Sequence, residues 1–304
     1  MEGIVIQSTG SWYSVLGSDG KTTDCRLKGK FKISGIKTTN PLAVGDRVEF
    51  FIQKDEDTGL ITRILPRKNY IIRKATKLSK ESHILAANLD QALMIATLAL
   101  PRTSTGFIDR FLITAEAYHI PAGIIFNKTD LYDDKKMEKL DELRSVYEKA
   151  GYPSYAVSAK TGENTHMVKA LLKDKISLLA GHSGVGKSAL INYIEPLLNI
   201  KTKPISKMHD KGVHTTTFAT MYKLSFGGFI IDTPGIKEFG LYELDEQTLA
   251  ERYPEMRELM PLCRYTNCTH INEPGCAVKE AVNDGRFSKQ RYEGYLRIIS
   301  DIND

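Results

Sequence analysis

The stretch that most constrains this chain is Gly181-His182-Ser183-Gly184-Val185-Gly186-Lys187-Ser188. An apolar run at residues 176–180 precedes it, and a helix-like run at 189–193 follows it. Strand, glycine-rich turn and helix, in that order, build a phosphate site. The glycines let the backbone wrap around an anion with its N–H groups pointing inward, and the helix start adds its positive end. Lys187 then reaches the terminal phosphates of a nucleotide. Ser188 ligates the magnesium ion that those phosphates carry.

The surrounding texture fits such a loop. From residue 90 onward strands and helices alternate: a nearly continuous apolar run at 91–98, helical spacing at 103–118 with Ser104 or Thr105 as N-cap, and a strand at 121–126. A charged amphipathic helix at 137–150 stops at Gly151, and a short strand at 155–157 and a helix at 164–172 lead into the phosphate loop. Two more strands, at 222–226 and 228–231, follow it. This alternation predicts a doubly wound α/β domain with its loops gathered at the strand ends.

A phosphate loop alone does not choose a base, but Asn127-Lys128-Thr129-Asp130 at the end of a strand does. The Asp130 carboxylate can accept both the ring N–H and the exocyclic amino group of guanine. Adenine offers no such pair and would leave the carboxylate desolvated and unpaired. Asn127 can bond the opposite base edge, the stem of Lys128 can lie along the ring, and Ser158-Ala159-Lys160 supplies a loop N–H near the guanine carbonyl. Asp232, in Asp232-Thr233-Pro234-Gly235, sits where a carboxylate supports magnesium, and the N–H of Gly235 is placed for the γ-phosphate. Thr216 or Thr217 completes the magnesium shell, and the residues do not decide between them. The run 201–212 reads as a switch segment.

Outside this domain the pattern changes. Short alternating runs at 3–7, 11–16, 22–27, 47–52 and 60–64 suggest a small β-barrel, an OB-fold being the favoured kind. Such barrels often bind nucleic acid. Trp12, Tyr13 and Phe31 are stacking candidates or core residues, and Lys28, Lys30 and Lys32 share a face or form a solvated edge. The stretch 63–80 carries Arg63, Arg67, Lys68, Arg73, Lys74, Lys77 and Lys80 and reads as a basic linker, solvated or touching phosphates. Of four cysteines, three cluster with a histidine: Cys263, Cys268, His270 and Cys276. Three thiolates and one imidazole make a closed tetrahedral set for one structural Zn2+, whose removal should unfold the tail around it. The last helical stretch bears Arg286, Lys289, Arg291 and Arg297 among Phe287, Tyr292 and Tyr295, and either faces RNA or packs by its aromatics. The formal charge of +5 permits a polyanionic partner without demanding one. No apolar run reaches membrane-spanning length, so a cytoplasmic protein without a membrane partner is expected.

The base-recognition motifs precede the phosphate loop, the reverse of the usual order in GTPases. With GHSGVGKS, NKTD, DTPG and the His214-Thr215-Thr216-Thr217 run, the whole chain resembles the RsgA (YjeQ) family of circularly permuted, small-ribosomal-subunit-dependent GTPases. Val213 departs from the arginine usual there. The resemblance implies an OB-fold RNA-binding domain over residues 1–67, a circularly permuted α/β P-loop GTPase domain over 68–238 and an α-helical zinc-binding domain over 239–304. It also implies GTP hydrolysis with Mg2+, release of GDP, and late maturation of the small ribosomal subunit through contact with its rRNA. The chain is expected to act as a monomer. Ile236, after Gly235, cannot orient water as the glutamine of many GTPases does. His214 is therefore the candidate catalytic residue, against its being a loop histidine with no part in the chemistry. The alternative function is a nucleotide-gated RNA-binding module whose hydrolysis is incidental.

Overall fold

Along Trp12–Gly17 the residues Tyr13, Val15 and Gly17 are buried and those between them are not, as a strand with one face on a core requires. The computed structural model describes residues 1–28, 41–53, 56–73, 83–200, 219–232 and 246–303. The strands are β1 (Glu2–Thr9), β2 (Trp12–Gly17), β3 (Thr22–Leu27), β4 (Arg47–Ile52), β5 (Thr58–Ile64), β6 (Tyr70–Arg73), β7 (His83–Ala87), β8 (Gln91–Ala96), β9 (Ala122–Phe126), β10 (Ser154–Ala156), β11 (Ile176–Ala180), β12 (Thr220–Lys223) and β13 (Phe229–Asp232). The helices are α1 (Thr105–Ala117), α2 (Asp134–Lys149), α3 (Thr165–Leu172), α4 (Lys187–Ile194), α5 (Glu246–Glu251), α6 (Pro254–Arg257), α7 (Ala277–Asn283) and α8 (Lys289–Asn303). The chain divides into two compact units, one of residues 1–93, 165–181 and 187–240, the other of 94–164, 182–186 and 241–304.

In the first unit, β1, β2 and β3 pair antiparallel, β3 pairs parallel with β5, β5 pairs antiparallel with β4, and β4 returns to β1. That closed order, 1-2-3-5-4-1, is the five-stranded barrel expected of the N-terminal region. Val5, Tyr13, Val15, Cys25, Val48, Phe50 and Ile61 fill it. Tyr13 is therefore a core residue and not a stacking platform, because the two-residue period turns it inward. Trp12, its neighbour, stays at the surface under the Arg26 guanidinium, 4.0 Å from the ring centroid. Lys30, Phe31 and Lys32 lie outside the described residues.

The stretch read as a linker is partly structured. β6 and β7 pair antiparallel, and Arg67 forks onto Asp46, with Nε–Oδ1 at 2.6 Å and Nη2–Oδ2 at 2.7 Å. Asp46 is fully buried, so this arginine is committed to the fold. Lys74, Lys77 and Lys80 lie outside the described residues. The same unit carries the strand order β8-β11-β13-β12-β1. The phosphate-loop strand β11 pairs parallel with β13, and β12 pairs antiparallel with β13.

The second unit carries the order β10-β9-β8, β9 and β10 pairing parallel. Ser104 is the N-cap of α1, its Oγ accepting from the N–H of Phe107 (3.2 Å), and Asp133 caps α2 by accepting from the N–H of Lys136 (2.9 Å). The tail helices have a core of their own: Leu249, Tyr253, Met256, Val278, Phe287, Tyr295 and Ile298 pack with Ile113 of α1. Of the two readings of the last helix, packing by its aromatics holds for Phe287 and Tyr295.

Arg291 is the extreme case. Its side chain is fully buried, with Nη1 2.6 Å from Asp109 Oδ1 and Nε 2.7 Å from Glu255 Oε1. Tyr147, Tyr152 and Tyr253 present their rings to the guanidinium at 5.6, 5.7 and 4.5 Å. Burial opposes its charge, but Asp109 and Glu255 outweigh that and hold Arg291 above the usual arginine range. This one side chain ties α8 to α1, α2 and α6. A Cβ at Gly294, one turn along α8, would come within 2.3 Å of Asp109 Oδ2, so glycine there lets the helices close. Removing one partner of such a network strands the others without water. Arg291→Met should lower stability by about 3–5 kcal/mol, read from the urea midpoint, and an unchanged midpoint contradicts this account.

Candidate active site and metal centre

The base-recognition residues and positions 182–186 of the glycine-rich loop belong to one unit and are bonded together. Asn127, leaving β9, is 1% exposed. Its Nδ2 donates to the carbonyl of Val185 (2.9 Å), and its Oδ1 accepts from the N–H of Ala159 (3.0 Å). The amide thus ties three loops into one surface, while its second N–H and second oxygen lone pair remain for the base edge. Gly186 is essential to the tie: its φ is +93°, and a Cβ there would sit 2.3 Å from Asn127 Nδ2.

Lys128 follows in the left-handed region, φ +71°, which non-glycine residues seldom adopt. Its Nζ donates to the carbonyl of Leu100, and burial moves its pKa down against the pull of Asp130. The turn is held on several sides. Thr129 Oγ1 donates to Glu163 Oε2 (2.9 Å) and its N–H to Val157 O (3.2 Å). Asp130 Oδ1 accepts from Ser158 Oγ (2.7 Å), and Lys160 Nζ stands 3.9 Å from Oδ2. Asp130 is thus set by a neutral donor, with acceptor capacity left for a base. Sequence reasoning missed Glu163 and Tyr132, whose hydroxyl bonds Asn127 O and Leu98 N. Nothing local in the sequence marks either. His182 stacks on Phe107 of α1, ring centroids 3.9 Å apart.

The other unit holds the charged end of the loop. Leu179 of β11 lies beside Asp232 of β13 in register, and Lys187 Nζ donates to the carbonyl of Gly181 (2.9 Å). Burial lowers the Lys187 pKa while Asp232 opposes it. Burial likewise raises that of Asp232 while Lys187 opposes it. A half-buried ammonium and carboxylate suit phosphate with its magnesium, whose charges would relieve both. Ser188 opens α4 next to Lys187. His214, Thr216, Thr217 and Gly235, with Val213 and Ile236, lie outside the described residues.

In the tail, one ligand atom from each of Cys263, Cys268, His270 and Cys276 lies within 4.8 Å of the others. His270 Nδ1 faces the sulfurs, 3.6 Å from Cys263 and 3.4 Å from Cys276. As bare thiolates they are disfavoured, since burial pushes Cys268 up to about 12 and Cys276 upward as well. A dication reverses that balance, and the donor set fits one structural zinc. Glu273 shapes the loop by accepting from Thr269 N and Oγ1 and from the N–H groups of Ile271 and Asn272. Burial opposes its charge, yet these bonds hold its pKa down at about 2.

Comparison with known proteins agrees with this geometry. The RsgA GTPase family matches residues 64–242 and the RsgA N-terminal domain matches residues 2–61. A small ribosomal subunit biogenesis GTPase RsgA of Bacteroides fragilis is 50% identical, covering 99% of this chain and 97% of its own. The protein of that name from Phocaeicola vulgatus is 51% identical at the same coverage. The crystal structure of YjeQ from Thermotoga maritima superposes with a TM-score of 0.79 at 35% identity, covering 99% of this chain and 97% of that one. That of YloQ, described as a circularly permuted GTPase, gives 0.76 at 29%, covering 100% and 95%.

Two outcomes follow from these sites. Asp130→Asn should weaken GDP binding at least tenfold and improve xanthosine diphosphate binding, because an amide donor meets the xanthine carbonyl. Titration of both nucleotides checks it, and an unchanged preference counts against Asp130 as the base reader. Chelation of the tail metal should expose residues 264–275 to protease. The buried core beneath narrows the expected unfolding to that loop, so far-ultraviolet circular dichroism should change little.

Proposed function

The chain belongs to the RsgA GTPase family, and from that premise we propose that it couples GTP hydrolysis to late maturation of the small ribosomal subunit, bound to that subunit's rRNA. The observation that carries the reading is the Asn127 tie, which supports a ready-made guanine site on the glycine-rich loop. In this reading Asp130 reads the base, with Asn127, Lys128, Thr129, Ser158, Ala159 and Lys160 holding its pocket. The Gly181–Ser188 backbone and Lys187 take the phosphates, joined by the N–H of Gly235. Magnesium, held by Ser188, Asp232 and Thr216 or Thr217, supplies charge neutralisation at the phosphates. Ile236 leaves the attacking water without an orienting side chain, and His214 fills that role.

RNA is the partner this reading favours. Arg26 over Trp12 gives the barrel a cation on an aromatic face, a pairing suited to phosphate and base. Among the described residues no helix is long and apolar enough to cross a membrane. The protein works as a cytoplasmic monomer in this account.

The test is GTP turnover by the purified protein, alone and with small or large subunits, at fixed low salt because phosphate contacts are salt-sensitive. Stimulation of at least tenfold by the small subunit alone is expected, and His214→Ala should abolish it while keeping GDP affinity. Intact binding without stimulation would favour a nucleotide-gated RNA-binding module. Unchanged stimulation in His214→Ala would remove that residue from the chemistry.

A further inference from the structure

Tyr132 lies two residues beyond Asp130 in the sequence, and none of the motifs accounts for it. Its hydroxyl has two partners. The N–H of Leu98 donates to it (2.8 Å), and it donates to the carbonyl of Asn127 (2.9 Å). Leu98 follows the end of β8 and Asn127 the end of β9, so one phenol bridges the exits of two strands.

That carbonyl belongs to the peptide joining Asn127 to Lys128, where the chain enters its left-handed turn. A non-glycine residue keeps such a conformation only when its surroundings over-determine it. On the far side of the turn, Tyr132 N–H bonds Thr129 O (3.0 Å) and Leu131 N–H bonds Lys128 O (3.0 Å). Tyr132 therefore grips the turn from both ends, through its backbone at Thr129 and its side chain at Asn127. Between these two points lie the residues that aim Asp130. Glu163 braces the same turn from the opposite side through Thr129 Oγ1. The half-buried phenol stays protonated, since burial moves its pKa upward, and so remains able to donate.

We infer that Tyr132 is a positioning residue for guanine recognition. Its hydroxyl fixes the Asn127–Lys128 peptide so that both oxygens of Asp130 meet the base together. The inference rests on guanine binding alone and is independent of any ribosomal partner. A hydroxyl that only stabilised the fold would act on all ligands alike. One that aims Asp130 acts most on a base offering two donors.

The experiment compares full-length protein with Tyr132→Phe by isothermal titration of GDP and of inosine diphosphate, which lacks the exocyclic amino group, with a thermal melt of each. The expected result is a GDP affinity about tenfold weaker, of the order of one neutral hydrogen bond. Inosine diphosphate should be affected less, so that the preference for GDP narrows at least threefold, while the melting temperature falls because Leu98 N–H and the Asn127 carbonyl lose their partner. Unchanged GDP affinity overturns the inference, and so does an equal loss for both nucleotides. Glu163→Ala, which removes the acceptor of the Thr129 hydroxyl, supplies a second arm should Tyr132→Phe fold poorly. It too should narrow the preference, and an unaltered preference there overturns the shared-brace account.

Discussion

The amide of Asn127 holds the site together. It is buried, one end donates to the glycine-rich loop at Val185, and the other accepts from the loop at Ala159. An amide without those partners would lose about 1–3 kcal/mol for each unmet group. The arrangement is therefore self-enforcing: the loops come together because Asn127 needs both. Gly186 makes room for the amide, and the left-handed turn at Lys128 lets the chain continue toward Asp130. Base recognition and positions 182–186 of the glycine-rich loop thus share one support. A permuted chain order does not disturb it, since the bonds join loops at strand ends and are indifferent to which strand comes first.

The tail follows a similar economy with different chemistry. Its helices pack on a core that includes Ile113 of α1, and the buried arginine at 291 draws α1, α2, α6 and α8 to a single point. The Cys263, Cys268, His270 and Cys276 cluster adjoins that core, of which Cys276 is a member. A buried ion network is a poor source of net stability compared with apolar packing. What it provides here is a defined arrangement, because a guanidinium has few geometries that satisfy two carboxylates at once.

Much of this was legible in the residues alone, and the reason is distance along the chain. The phosphate loop, the NKTD turn and the cysteine–histidine cluster are local patterns whose chemistry depends on spacing within a dozen or so residues. The barrel strands were legible through their period of two. What stayed hidden depends on pairings remote in sequence. Arg67 looked like one more linker charge until Asp46, buried in the barrel unit, claimed it. Arg291 looked like a surface cation on a basic helix, and its partners lie 182 and 36 residues away. Tyr13 and Trp12 are adjacent, so composition could not say which one faced the core. Tyr132 and Glu163 act through backbone and hydroxyl contacts that leave no motif.

The most direct test of the account is the affinity of the purified, nucleotide-free protein for fluorescent GDP and ADP analogues with magnesium, measured side by side. A base loop already set by Asn127 predicts tight GDP binding, with ADP at least a hundredfold weaker, since adenine leaves Asp130 unpaired. Equal affinities would show that the phosphate loop alone binds the nucleotide, and would contradict the claim that these loops form one guanine-selective surface.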